Sequence, residues 1–137
     1  MYITHLRIEN FRNLEVVEFQ PAPGLNYFYG ENGAGKTSLL EALFLLSRGK
    51  SFRTSSNDEL IRHKAETFQL YLEARNGEQK LRLGLERSKK NWRARKDGQD
   101  VALLSELSRA LPIILMEPNS HTLISGSPEG RRRFLDW

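Results

Sequence analysis

Hydrophobic positions recur at every second residue in three runs between residues 68 and 96, and this spacing predicts β-strands with one buried face. The strands are expected at 68–75, 79–87 and 92–96. Asn76-Gly77 separates the first two and Asp97-Gly98 follows the third, and both dipeptides are typical of two-residue hairpin turns. The pattern therefore predicts an antiparallel β-meander.

Apolar residues at the start of the chain predict two further strands before a turn-rich connection. Ile3 to Ile8 opens the first, Phe11-Arg12-Asn13 is a turn, and Leu14–Phe19 is rich in β-branched residues. Pro21 to Gly24 breaks the pattern. Leu25–Tyr29 is a short apolar and aromatic run, which we interpret as a strand leading into the glycine-rich loop after it.

The next apolar run has helical length and leaves little polar surface, so it predicts a buried helix over Lys36–Arg48. Gly49 directly after it is a typical helix stop. Residues 50–65 are expected to be a loop with a short helix near 58–63. Val101–Ala110 is predicted to be helical, and Pro112–Met116 a buried strand.

The residues Gly30 to Thr37 satisfy the pattern G-x-x-x-x-G-K-[ST] at every fixed position. At average residue frequencies, a chance match is expected in roughly half a per cent of chains of this length. Backbone amides in such a loop, together with the start of the following helix, bind phosphate oxygens. The sequence thus predicts a site for ATP and Mg²⁺ formed by Gly30, Glu31, Asn32, Gly33, Ala34, Gly35, Lys36, Thr37 and Ser38.

Two of these residues have distinct expected roles. Lys36, the predicted catalytic residue, should neutralise the β- and γ-phosphates, and the Thr37 hydroxyl should coordinate Mg²⁺. Hydrolysis also requires carboxylates that hold the metal and orient water. Glu117, after the apolar run 112–116, is a single acid where a pair is usual, so we interpret that run as a core strand and expect the acids beyond Trp137.

Composition narrows the alternatives only slightly. The 137 residues suffice for one domain, and 21 Lys and Arg against 17 Asp and Glu leave a net charge of +4, which permits a nucleic-acid partner. The chain contains no cysteine, which excludes disulfides, and no apolar run of membrane-spanning length, so we expect a cytoplasmic protein without membrane contact.

Six cations in the segment from Arg87 to Lys96, with Trp92 among them, fit either DNA contact or a solvated hairpin. Arg131–Arg133 forms a second basic cluster.

Several segments, one of them inside this phosphate loop (residues 30–37), together resemble the RecF family of bacterial DNA-repair ATPases, a group within the ABC-type ATPases. The similarity spans nearly the whole chain and is carried by these segments: Leu6 to Leu14, Asn32-Gly33, Arg48 to Thr54, Glu59 to His63, Glu117-Pro118, Leu123 to Pro128 and Arg131 to Trp137.

The resemblance implies an α/β P-loop NTPase fold of the ABC-ATPase type, with a mixed central sheet and an adjoining antiparallel β-meander. Residues 1–137 would be the N-terminal part of one ATPase domain, divided into a P-loop subregion (1–66), the meander (67–100) and a helix-strand-helix segment (101–137). Arg12 and Asn13 should lie beside the nucleotide, with Arg12 reaching phosphate.

The resemblance also implies a function for the intact protein. It would hydrolyse ATP, dimerise in an ATP-dependent way and bind DNA at single-strand/double-strand gaps. With RecR and RecO it would promote RecA loading in recombinational repair, replication restart and the SOS response. This segment, without paired acids or a signature motif, should not hydrolyse ATP alone. The alternatives are an SMC or RecN head, a transporter ATPase subunit and a P-loop kinase.

Overall fold

The computed structural model describes residues 1–116, which form one antiparallel sheet with helices on one face. The strands follow the order β2-β1-β3-β4-β5-β6 across the sheet. The elements are β1 (Tyr2–Phe11), β2 (Leu14–Phe19), α1 (Lys36–Arg48), a short 3₁₀ helix (Asp58–Leu60), β3 (Thr67–Asn76), β4 (Gln79–Ser88), β5 (Trp92–Lys96), β6 (Gln99–Asp100) and α2 (Ser105–Ala110).

A tight turn at Arg12 and Asn13 joins β1 to β2, and Phe11 pairs with Leu14 across it. Arg12 has a φ of 55°, a left-handed conformation that the surrounding contacts hold in place. The Arg12 N–H donates to the Leu60 carbonyl at 2.9 Å, and the Arg62 N–H donates to the Asn10 carbonyl at 2.8 Å. The loop around the 3₁₀ helix therefore fixes the turn from outside the hairpin.

The meander forms as predicted, but it is continuous with the N-terminal hairpin because β1 pairs with β3. Its first turn is displaced by one residue from the prediction. Asn76 pairs with Gln79, so Gly77-Glu78 forms the loop, with Gly77 supplying a φ of 61°. Asp97-Gly98 forms the later turn as predicted, between paired Lys96 and Gln99.

One face of the sheet packs against α1 and α2 and forms the hydrophobic core. Alternation along the strands places one side chain in two on that face, and the helices contribute the opposing layer. The fully buried side chains include Leu6, Ile8, Phe11, Phe68, Leu70, Leu72, Leu83 and Leu85 from the sheet and Ala42, Leu45, Leu46 and Leu107 from the helices.

Helix α1 has the predicted bounds, and Gly49 ends it with a φ of 69° and an N–H that donates to the Leu45 carbonyl at 2.8 Å. The helix is not buried on all sides, since Leu40 is 45% exposed. Neither helix in residues 1–116 is long and apolar enough to cross a membrane.

Three predicted elements differ from the structure. Leu25–Tyr29 and Pro112–Met116 belong to no strand, and the helix predicted over 101–110 is confined to Ser105–Ala110. Leu25 is 92% exposed and Met116 is 85% exposed. Apolar character predicted burial, but burial in a sheet also needs a neighbouring strand, and residues 1–116 provide none for these runs.

As a result, the described sheet is antiparallel throughout and not mixed as expected. The predictions for Glu117, for the segments from Leu123 to Pro128 and from Arg131 to Trp137, and for the end of the helix-strand-helix segment lie outside the described residues.

Candidate functional site

The phosphate loop lies between the β1–β2 turn and the start of α1, where it borders a cleft of about 570 Å³. Most of the predicted site residues meet there. The cleft is lined by Arg12, Asn13, Asn32, Gly33, Gly35, Lys36, Thr37, Ser38, Arg53, Glu59 and Ile61. The remaining predicted residues, Gly30, Glu31 and Ala34, form the loop itself, whose turn is closed by the Ala34 N–H donating to the Glu31 carbonyl at 3.2 Å.

The N-terminus of α1 is open towards this cleft. Gly35 precedes the helix with a φ of 105°, no side chain caps the first turn, and that turn contains no acid. The free amides and the helix dipole therefore present positive potential where an anion would bind. A Cβ on Gly35 would lie 2.5 Å from Leu14 Cδ2, so close packing against the hairpin also requires glycine there.

The Lys36 side chain curls back over the loop. Its Nζ donates to the Gly30 and Glu31 carbonyls, each at 2.7 Å. These two bonds hold the ammonium group above the loop at the edge of the cleft. Its charge is thus directed to the same space as the amides of α1.

Asn13 connects the turn to the phosphate loop. Its Nδ2 donates to the Gly33 carbonyl at 2.8 Å, while its Oδ1 accepts from Ser38 Oγ at 2.8 Å. Ser38 is thereby committed to a structural bond and is buried. Thr37 lies exposed in the cleft, and within residues 1–116 its hydroxyl has no hydrogen-bond partner. Of the two adjacent hydroxyls, only that of Thr37 is available to a ligand.

Glu41 is the centre of an ion-pair network that the sequence analysis missed. Its carboxylate is fully buried and accepts from Arg12 Nε at 2.9 Å and Arg12 Nη2 at 2.7 Å. It also accepts from Arg53 Nη1 at 3.1 Å and Ser51 Oγ at 2.5 Å. The bidentate pair fixes the Arg12 guanidinium plane at the wall of the cleft.

The network keeps Glu41 ionised although it is buried. Burial by itself raises the pKa of this carboxyl, but hydrogen bonds from Arg12 and Ser51 and the charges of Arg12 and Arg53 outweigh it. The pKa of Glu41 is consequently below its ordinary value. One carboxylate therefore offsets part of the charge of two arginines beside the cleft.

The 3₁₀-helix loop braces the other side of the turn. Arg62 Nη1 donates to the Asn13 carbonyl at 2.9 Å, and Glu59 Oε2 lies 3.7 Å from Arg12 Nη1. Arg12 is therefore held between Glu41 and Glu59, with its side chain 16% exposed. It borders the cleft as expected, but two of its nitrogens already bind Glu41.

The sequence contained a signal for Glu41, since it is the only acid in α1 and has apolar neighbours on both sides. A carboxylate among apolar residues on the buried face of a helix requires a partner of opposite charge. The identity of that partner was not accessible, because Arg12 and Arg53 approach from other segments.

The basic segment from Arg87 to Lys96 does not form one charged surface. Arg93 Nη2 and Arg95 Nε lie 3.0 Å and 2.8 Å from the carboxylate of Asp100. These pairs lower the pKa of Asp100 to about 2. Two of the six cations are thus paired within the meander.

Comparisons with known proteins agree on one kind of protein. A family model described as an AAA domain matches residues 5–121. The chain is 44% identical to the DNA replication and repair protein RecF of Stenotrophomonas maltophilia and 46% identical to that of Xanthomonas oryzae pv. oryzae. Both alignments cover 100% of this chain and 39% of the relative, so the chain spans about two fifths of the curated relatives' length.

Solved structures give the same result at the level of the fold. A structure of the recombination mediator protein RecF with ATP, in the RecFOR pathway, has a TM-score of 0.89 at 29% identity. The match covers 98% of this chain and 38% of the RecF chain. The SMC head domain from Thermotoga maritima has a TM-score of 0.62 at 16% identity, covering 80% and 42%. The SMC likeness concerns the fold alone, and together these structures confirm the predicted P-loop fold class.

Proposed function

The chain belongs to the AAA domain family and is similar to RecF along its whole length, as its motifs predicted, and from this premise we propose that it is the ATP-binding part of a DNA-repair protein. The observation that carries the proposal is the uncapped N-terminus of α1 at the phosphate loop, with Lys36 beside it. Free amides, a helix dipole and a lysine in one cleft suit the triphosphate of a nucleotide.

Each predicted residue then has a role in this cleft. The amides of 33–38 bind phosphate oxygens, and Lys36 exchanges its two carbonyl contacts for the β- and γ-phosphates. Arg12 adds positive charge from the wall through Nη1, which Glu41 does not bind and which lies 3.7 Å from Glu59 Oε2. Asn13 keeps the turn and the loop in register, since it bonds to both.

Mg²⁺ would bind at Thr37. The ion keeps several waters and binds few protein oxygens when it accompanies a triphosphate. An exposed hydroxyl without another partner fits that demand, whereas the neighbouring Ser38 hydroxyl is committed to Asn13. The ion would supply charge neutralisation of the phosphates.

The role of the whole protein follows from its relatives. We infer that it hydrolyses ATP, acts as an ATP-dependent homodimer in the cytoplasm and binds DNA at gaps, together with RecR and RecO, so that RecA is loaded. Paired acids for hydrolysis would come from residues outside 1–116. An SMC-type head is the second candidate, favoured only by its fold.

Nucleotide titration of the full-length protein tests the proposal. Lys36→Ala should weaken ATP binding about a hundredfold, because a lost charge-assisted contact in a partly desolvated site costs about 3 kcal/mol. Lys80→Ala is the matched control, since Lys80 is exposed on β4, distant in sequence and outside the cleft. Wild-type affinity in Lys36→Ala would refute the assignment of this cleft to ATP.

A further inference from the structure

A second cleft shares Arg53 with the cleft at the phosphate loop. It has a volume of about 530 Å³ and is formed by the loop after α1 and by Arg87 of β4. We name it the basic groove and define it by residues 49–55, Asn57 and Arg87. Its lining contains three cations, Lys50, Arg53 and Arg87, and no carboxylate.

Two of these cations are uncompensated. Within residues 1–116, neither Lys50 nor Arg87 forms an ion pair, although Arg87 is partly buried. Burial lowers the pKa of the Arg87 guanidinium, with no acid to oppose the effect. Burying part of a cation without a partner is unfavourable, so such a group favours an external anion. Arg93 and Arg95, on the same meander, contrast with it because both pair with Asp100.

The floor of the basic groove is held in a defined shape. Ser51 Oγ accepts from the Arg53 and Thr54 amides at 2.9 and 3.2 Å and donates to Glu41. The Phe52 ring packs edge-on against Phe44 of α1, with centroids 5.4 Å apart. The loop therefore presents its cations and neutral polar groups from a structure already fixed to α1, which reduces the entropy cost of binding.

Arg53 belongs to both clefts. It lines both the cleft at the phosphate loop, which we call the nucleotide cleft, and the basic groove. Its Nη1 donates to the same Glu41 carboxylate that holds Arg12. Its side chain is 42% exposed, so part of the guanidinium is accessible to a ligand. A ligand that draws Arg53 towards one side changes the charge that faces the other.

We propose that the basic groove binds the phosphate backbone of DNA and that Arg53 couples its occupancy to that of the nucleotide cleft. The inference rests on the proposed DNA-repair function, which supplies the ligand. Lysine and arginine charges, with Ser, Thr and Asn side chains between them, are the groups that contact DNA phosphates without reading sequence. The coupling is reciprocal. If nucleotide changes the affinity for DNA by some factor, DNA must change the affinity for nucleotide by the same factor.

The test is DNA binding by the full-length protein over a series of salt concentrations, with a fluorescent gapped duplex as probe. Lys50→Gln/Arg87→Gln should lower affinity on the order of tenfold at about 0.1 M salt. It should also reduce the slope of log K against log salt by about 1.8, since each lost phosphate contact removes about 0.9. ATP affinity should remain at the wild-type value, which shows that the variant is folded.

Arg93→Gln/Arg95→Gln is the matched control, because it removes the same charge from positions already paired with Asp100. It should leave affinity and slope close to wild type. Equal losses in both double variants would indicate a bulk charge effect and overturn the proposal. Wild-type DNA binding by Lys50→Gln/Arg87→Gln would also overturn the proposal. If that variant binds DNA normally but loses binding of polyglutamate, the groove is a site for an acidic protein instead.

Two further outcomes distinguish the coupling through Arg53 from the proposed function. If the wild-type protein binds no DNA at any salt concentration, with or without ATP, the proposed function itself is wrong. Arg53→Gln should bring the effect of ATP on DNA affinity close to onefold. An undiminished ATP effect in that variant would overturn the coupling through Arg53.

Discussion

Thr37 and Ser38 show how two adjacent residues with the same chemical group acquire different roles. Both follow Lys36 at the start of α1, but their side chains project from different sides of the helix. The Ser38 hydroxyl is buried against Asn13, whereas that of Thr37 lies exposed in the cleft. Position around the helix therefore determines which hydroxyl is available to a metal ion.

Thr37→Val should reduce the contribution of Mg²⁺ to ATP affinity on the order of tenfold, while affinity without Mg²⁺ stays nearly unchanged. The reason is that valine preserves the shape and removes an oxygen whose interaction with a charged partner contributes about 1.5–3 kcal/mol. Titration with and without the ion measures the ratio. Ser38→Ala is the control and should keep a wild-type ratio; an unaltered ratio in Thr37→Val contradicts the role.

Sequence reasoning located the residues of the phosphate loop because they are contiguous and satisfy a strict spacing. It did not find the Glu41 network, whose two arginines lie 29 and 12 residues from Glu41. Such partners are defined only by the packed structure. The bidentate bond to Arg12 also changes the expectation for that residue, since part of its charge is directed to Glu41 before any phosphate binds.

Among the elements, α1 determines where the loops at its two ends lie. The phosphate loop precedes it, and the loop that forms the basic groove follows Gly49. A Cβ on Gly49 would lie 2.8 Å from Leu104 Cβ, so α2 and its preceding segment pack against this point. The direction in which the chain leaves α1 depends on this one left-handed residue.

Gly49→Ala should therefore destabilise the full-length protein by about 2–3 kcal/mol, which combines left-handed strain of about 1 kcal/mol with overpacking. Gly77→Ala is the control because Gly77 has a similar φ of 61° and nothing within 4 Å of an added Cβ. It should lose only the strain component. Urea denaturation followed by circular dichroism measures both, and equal losses would show that the contact with Leu104 is unimportant.

The bounds of α1, β2 and β5 were predicted correctly because turns next to them in the sequence mark where they begin or end. The glycine-rich loop precedes α1, the tight turn at Arg12 and Asn13 precedes β2, and the Asp97-Gly98 turn follows β5. The turn at 76–79 was misplaced by one position because glycine rather than asparagine occupies its first site. The runs 25–29 and 112–116 were assigned to strands on apolar character alone. A strand requires hydrogen bonds to a neighbour, and that information is not present in the run itself.

At the scale of the described molecule, residues 1–116, the segment before the phosphate loop exposes apolar side chains that a closed globule would bury. Leu25, Tyr27 and Tyr29 are 92%, 84% and 87% exposed, at alternating positions of a segment that belongs to no strand. Exposed apolar side chains that cluster in one segment promote association. Expressed alone, the 137-residue chain should consequently self-associate and bind the dye ANS.

Leu25→Lys/Tyr27→Lys should reduce both ANS fluorescence and the apparent mass in light scattering of that isolated chain. The control is Glu78→Lys, which adds the same charge of +2 at an exposed position elsewhere on the surface. If the control has the same effect, charge repulsion and not the apolar segment explains the result. Low ANS fluorescence of the unmodified chain would contradict the prediction directly.

The pairing of β1 with β3 has a consequence for how the molecule folds. Leu6 lies opposite Leu72, so the phosphate loop and α1 belong to a long stretch of chain between two paired strands. The ends of this stretch must come together before β1 can pair with β3. Closing such a loop is slower than forming the β3–β4 hairpin, in which partners are neighbours in sequence. The meander is therefore expected to form early and the nucleotide cleft late. Acquisition of ATP affinity during refolding would then mark the completion of the fold.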